Sequence, residues 1–199
     1  MAQSRPTTLF DYNYEEMYRD AKTENNYDKL LQATENNDLG AVESLIKRGA
    51  YVKPTFRDVY KHKHCGPLHV AANNGNVKVL KVLLEAKDAD INMTGDNNQT
   101  LLHGAIKHPE MVRFLIGCGI DVNAQCCHGF TSLHFAVSNK ESEVAKILID
   151  SGASPYICSY PLCSSTPLCW AKSNEYKNDE LAQYMQENYK RESKNTYKK

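Results

Sequence analysis

Four short phrases recur along this chain: Gly66-Pro67-Leu68-His69, Thr100-Leu101-Leu102-His103, Thr131-Ser132-Leu133-His134 and Thr166-Pro167-Leu168-Cys169. Their leucines, Leu68, Leu102, Leu133 and Leu168, lie 34, 31 and 35 residues apart. Each is followed three residues later by an alanine: Ala71, Ala105, Ala136 and Ala171. After a short polar turn comes a second apolar stripe, as in Val79-Leu80-x-Val82-Leu83-Leu84, Met111-Val112-x-Phe114-Leu115-Ile116, Val144-Ala145-x-Ile147-Leu148-Ile149 and Leu181-Ala182-x-Tyr184-Met185. An upstream unit lacks the opening phrase but keeps Leu30 and Ala33, then Ala41-Val42 and Leu45-Ile46. Self-similarity at a period of about 33 residues means stacked supersecondary units, none of which buries its apolar face alone.

The repeated residue types have local reasons. Threonine at the start of three of the phrases can cap a helix, and proline at the second position of the first and fourth loses nothing, because its missing N–H would have no partner there. The alanines let neighbouring helices approach closely. The second stripe has the i, i+3, i+4 spacing of a helix burying one face. Gly49, Gly119 and Gly152 fall just beyond that stripe, where a left-handed stop costs glycine little. His69, His103 and His134 recur at one position of the unit, which marks them as buried imidazoles bonding the backbone of their own and the next unit. Copies about 9 Å apart cannot share one metal ion.

Between units, Ala89-Asp90-Ile91-Asn92 and Ile120-Asp121-Val122-Asn123 recur, with shortened forms at Gly49-Ala50 and Gly152-Ala153. With these phrases in phase, the chain resembles the ankyrin repeat from about Asp28 to Glu187. The resemblance implies an all-α solenoid of five helix-turn-helix units with projecting β-turn fingers. It also implies non-catalytic recognition of another protein, by an extended concave face and the finger tips. The units are placed at about 27–50, 65–93, 98–123, 129–156 and 165–187, within a repeat domain spanning 27–189. By position, the candidate contacts on the fingers are Tyr60, His62, Asn97, Asn98, Cys127, His128 and Phe130. On the first helices they are Val70, Asn74, Lys107, Phe135, Asn139 and Trp170. Trp170, the single tryptophan, aligns with Val70, Gly104 and Phe135; it either anchors a partner or seals the last unit against the C-terminal helix. The resemblance further implies that Asn92 and Asn123 match a pattern hydroxylated by an asparaginyl hydroxylase; the alternative is a bond to backbone in the finger turn.

Departures from the pattern are informative as well. The third unit is short by two residues between its helices, where Lys107-His108-Pro109 replaces a longer turn and Pro109 opens the second helix. The fifth has Cys169 in place of histidine, and the first lacks the Thr-Pro opening, as terminal units can. Residues 1–26 are a polar segment with a short capping helix, marked by Tyr14, Met17, Tyr18 and Ala21. The acid-flanked Tyr12, Tyr14 and Tyr18 also read as kinase substrates. Residues 51–63 form a long finger with Tyr51, Phe56 and Tyr60 among basic side chains, either a recognition surface or a loop folded back on the first units. Residues 190–199 lack an apolar period and read as a disordered tail.

Composition narrows the function classes. The 199 residues carry 24 basic and 24 acidic side chains, so a protein that coats nucleic acid or an acidic membrane is disfavoured. No stretch approaches the roughly 20 apolar residues that cross a bilayer, and the start does not read as a secretory signal. Seven cysteines, an odd set among core-like residues, fit a reducing compartment, cytoplasmic or nuclear. The groups His62-x-His64-Cys65, Cys126-Cys127-His128 and Cys158-x4-Cys163 admit a metal- or redox-responsive module. However, there is no CxxC pair, and adjacent Cys126 and Cys127 should point different ways; free thiols are the plainer reading. No nucleophile elbow, zinc-protease or phosphate-loop motif is present, so neither an enzyme, nor a cofactor, nor a small-molecule substrate is expected. The sequence therefore reads as a small scaffold, adaptor or inhibitor.

Overall fold

The computed structural model describes residues 21–53, 66–159, 165–173 and 175–196, with side chains between 26 and 188. Five helix pairs follow one another: α1 (Ala21–Glu35) with α2 (Leu39–Lys47), α3 (Pro67–Asn73) with α4 (Val77–Leu83), α5 (Leu101–Gly104) with α6 (Pro109–Gly117), α7 (Ser132–Ser138) with α8 (Ser142–Asp150), and α9 (Pro167–Lys172) with α10 (Asp179–Thr196). Each first helix packs on the first helix of the next unit, and each second helix on the next second helix. The result is two rows of helices, an all-α solenoid. Among the described residues, the one β-pairing is an isolated antiparallel bridge between Thr94 and Thr100 within a finger.

The core is the repeat itself. Leu30, Leu68, Leu102, Leu133 and Leu168 are buried in one cluster with Ala33, Ala71, Ala105, Ala136 and Ala171 and the apolar faces of α2, α4, α6, α8 and α10. Each such leucine is worth about 1.5–3 kcal/mol of burial. Three of the second helices begin on short polar side chains: Asp38 accepts from the N–H of Ala41 at 3.0 Å, Asn76 from Val79 at 3.1 Å and Asn178 from Leu181 at 3.0 Å. Pro109 opens α6 as the sequence implies. Gly49, Gly119 and Gly152 follow α2, α6 and α8 at φ +80°, +83° and +90°, left-handed stops that let the chain turn outward into each finger.

Three features differ from, or lie beyond, the sequence reading. First, α5 is only Leu101–Gly104 before the chain tightens into a 3-10 turn at Ala105–Lys107. The short connection leaves no room for a longer helix before Pro109. His108 secures this turn by bonding its Nε2 to the carbonyl of Asn73 in the previous unit, at 2.8 Å. Second, the tail placed at 190–199 does not begin at 190, because α10 continues to Thr196. The segment has no glycine or proline to stop it and carries Lys190, Arg191, Glu192 and Lys194, residue types that favour helix. Third, α1 begins at Ala21, so the boundary placed at 26/27 falls inside a helix. The capping helix around Tyr14 and Tyr18, and most of the 51–63 finger with Tyr60 and His62, lie outside the described residues. No described helix is long and apolar enough to cross a membrane.

Candidate interaction face

The first helices and the fingers meet through the repeated histidines. The backbone N–H of Thr131 donates to Nδ1 of His134 at 3.0 Å, and that of Thr100 to Nδ1 of His103 at 3.1 Å. With Nδ1 accepting, the proton sits on Nε2, which donates to the carbonyl of the next finger. These partners are Phe130 for His103 at 3.1 Å and Ser165 for His134 at 3.0 Å. His69 reaches Gln99 in the same way at 3.2 Å, but its buried Nδ1 has no partner among the described residues. Gly66 stands where the later units have threonine, so the hydroxyl that meets Nδ1 of His103 and His134 is missing here. Burial pushes all three imidazoles below their ordinary range, and His134 reaches about 4. At neutral pH these are neutral struts, as their place in the repeat implied.

Around the last two struts, aromatic side chains gather. Phe130, at the base of the finger after the third unit, lies with ring centroids 5.3 Å from Trp170, 5.5 Å from His134, 6.2 Å from Phe135 and 6.3 Å from His128. Trp170 in turn packs edge-on against His134 at 5.3 Å and stacks on Tyr176 at 5.5 Å. Phe135 meets the edge of His103 at 5.5 Å. Phe130, Phe135, Trp170 and Tyr176 are each half-buried, so the ridge is fixed from below and open above. Trp170 seals the joint between the fourth and fifth units through Phe130 and Tyr176 while keeping part of its ring exposed. Tyr176 was not singled out by sequence reasoning, because it lies in the irregular turn before α10, outside every repeated phrase.

Other nominated residues fall around this ridge. Asn97 and Asn98 are exposed at φ +56° and +58°, and the carbonyl of Asn97 accepts from the N–H of Cys127 at 2.7 Å, tying one finger to the next. Asn139 is exposed and its amide donates to the Phe135 carbonyl at 2.9 Å. Lys107 is exposed; Val70 is half-buried and Asn74 exposed, both in the second unit, where Val70's position holds no aromatic ring. Gly104 takes that position in the third unit, and a Cβ there would collide with the side-chain oxygen of Asn73.

Cys126 is buried and Cys127 exposed, so their side chains do diverge. Sequence neighbours seldom present side chains to each other, yet the Cys127 Sγ lies 3.1 Å from Nδ1 of His128, because the finger turns sharply just before Gly129 at φ +77°. Both groups are exposed, which is not the enclosed arrangement catalysis requires. Among the described residues no cluster of three or more His, Cys, Asp or Glu could hold a metal ion; Cys163 and the 62–65 group lie outside them. Two surface depressions, one lined by Gln32, Asp38 and Arg48 and the other by Tyr51, Glu85 and Asp88, contain none of the histidines. The finger asparagines differ from each other. Asn123 donates to the Gly152 carbonyl at 3.0 Å and accepts from the Ser154 N–H at 2.8 Å, whereas the side chain of Asn92 is exposed.

The family pattern for ankyrin repeats in three copies matches residues 30–126 and again 68–157. Similar proteins include the human transient receptor potential cation channel subfamily A member 1, 27% identical over 164 residues, covering 61% of this chain and 14% of the channel. A mimivirus ankyrin repeat protein from Acanthamoeba polyphaga mimivirus is 33% identical over 107 residues, 53% of this chain and 14% of that protein. The bovine dynein axonemal heavy chain 12 is 32% identical over 137 residues, 63% of this chain and 36% of the relative. In each case the chain spans well under two thirds of the relative's length. What these proteins share with it is the repeat.

Proposed function

Because the chain belongs to the ankyrin-repeat family, an interaction fold without catalysis, we propose that it works as a small scaffold, adaptor or inhibitor that occupies a partner protein's surface. The observation that carries this reading is the half-buried ridge of Phe130, Phe135, Trp170 and Tyr176 across the last two units. Aromatic side chains with a fixed base and an open edge are the residue type that dominates protein interfaces. Polar neighbours at Asn97, Asn98, Lys107, Cys127, His128 and Asn139 supply the rim. The long finger, with Tyr60 and His62, adds a second contact, and the setting is the reducing cytoplasm or nucleus.

The test is capture of a partner from native extract by the wild-type chain and by three variants. Phe135→Ala should lose the partner while the helical signal and unfolding midpoint stay close to wild type. Tyr60→Ala with His62→Ala should weaken it. Arg113→Ala, in the row of second helices, should leave it bound. A partner retained by Phe135→Ala and lost by Arg113→Ala refutes the reading.

A second reading rests on the 3.1 Å contact between Cys127 and His128: a redox-responsive finger tip. Cys127 should then alkylate with iodoacetamide faster than Cys118 and Cys169, which are also exposed. The advantage should vanish in His128→Ala. Equal rates at the three thiols dispose of it.

A further inference from the structure

The ridge lies in a surface with an uneven charge. From the second unit on, the first helices contain no aspartate or glutamate. Residues 124–140 and 154–173, which include parts of two fingers and the helices α7 and α9, contain none either. The charges that remain there and at the end of the third unit's first helix are Lys107, Lys140 and Lys172, all exposed. None of the three makes an ion pair among the described residues. The second helices are the reverse: Glu43 pairs with Lys47, Arg113 with Glu143 and Lys146 with Glu180. The stretches that carry Phe130, Phe135 and Trp170 thus keep lysines and no carboxylate, while Glu175 bonds Tyr176 at the far end of the ridge. A helix dipole favours a lysine at each helix end, but it gives no reason for residues 124–130 and 154–165 to lack carboxylates.

We infer that this face receives an acidic, extended segment of another protein, carrying an aromatic or branched aliphatic side chain that seats on the ridge. The inference rests on the interaction reading above and names the chemistry of its partner. Units about 10 Å apart place the three lysines along about 20 Å, which roughly six to nine extended residues span. Unpaired lysines at the rim steer an acidic segment and set its register, while the apolar anchor on Trp170 and Phe130 slows its departure. A polynucleotide is the poorer fit. Phosphate binding draws on many Lys and Arg contacts, and the rings here pack largely edge to face rather than offering open faces to bases.

The experiment selects binders from a displayed library of random peptides against the purified chain, then measures the best peptides on variants. The expected peptides are enriched in Asp and Glu around one Phe, Trp, Leu or Ile. Their affinity should fall about tenfold or more when Lys107, Lys140 and Lys172 are changed together to Glu, and should weaken steeply as salt rises. Lys78→Glu, on a second helix, should leave it within about twofold. Trp170→Leu and Phe135→Ala, checked for helical signal, should weaken every selected peptide. Peptides without acidic enrichment that still need Trp170 and Phe135 overturn this inference and leave the interaction reading standing. Peptides indifferent to those two residues overturn both. Tighter binding of a thymidine oligonucleotide than of any acidic peptide, lost on lysine reversal, also overturns the inference.

Discussion

Acid should loosen the stack well before its surface carboxylates titrate, and His134 gives the size of the effect. Its side chain is fully buried, and its pKa lies at about 4. The causes are, first, burial, then, in opposition, the hydrogen bond to the Ser165 carbonyl, and then the neighbouring His103, which lowers it further. The unfolded chain binds a proton as pH falls through about 6.5, whereas the folded chain does not until about 4. The stability linked to this group is therefore complete above about 6.5 and is lost as pH drops toward 4. At pH 5 the loss from His134 alone is about 2 kcal/mol, obtained from the ratio of proton-binding terms in the two states. His69 and His103 are shifted the same way by burial and add to it. Urea unfolding near neutrality and at about pH 5 measures the loss, with His134→Gln as the non-titrating reference. The variant should be less stable near neutrality, where it loses the bond to Ser165, yet should lose about 2 kcal/mol less on acidification. An identical pH slope in both proteins, or a His134 titration near 6.5 by NMR, would refute the reasoning.

Three further changes follow from single contacts. Gly66→Thr should raise stability by about 1 kcal/mol in denaturant unfolding, because the extended backbone at Gly66 (φ −72°, ψ 172°) suits threonine and a hydroxyl there reaches the unpartnered Nδ1 of His69. Gly75→Ala should cost about 2 kcal/mol or more, since the residue sits at φ +69° and a Cβ would strike the His108 ring; a melting temperature equal to wild type would rule this out. Asn123→Ala, which removes the bonds to Gly152 and Ser154, should cost about 1–2 kcal/mol and speed hydrogen exchange at the Ser154 amide.

The stack was legible because its constraints repeat. A leucine that must enter the neighbour's core, an alanine that lets helices touch and a histidine that bonds the next finger recur at fixed offsets, so each copy corroborates the others. What escaped the sequence has no second copy. Phe130 and Trp170 touch only because stacking lays one unit's first helix beside the preceding finger, a long-range register that no local pattern states. Tyr176 joins them from an irregular turn. His108 and Asn73 are linked by a turn peculiar to the third unit. The extension of α10 to Thr196 follows local helix preference in a segment without an apolar period, and a reading based on apolar spacing ends it too soon.

The same contrast tells where recognition has to reside. Positions held constant across units are already committed to the stack, and changing them to suit a partner would disturb the core first. Freedom remains at the position occupied in turn by Val70, Gly104, Phe135 and Trp170, one site on the first helix with four different side chains. Gly104 is constrained there by the Asn73 side chain, which fills the space a larger residue would use and leaves the third unit without a projecting group. The aromatic surface therefore begins at the fourth unit, where Phe135, Phe130 and Trp170 support one another, and the unpaired lysines flank that same stretch. A partner that reads this chain through its variable positions meets its apolar anchor in the last two units, and the second unit contributes little more than a polar approach.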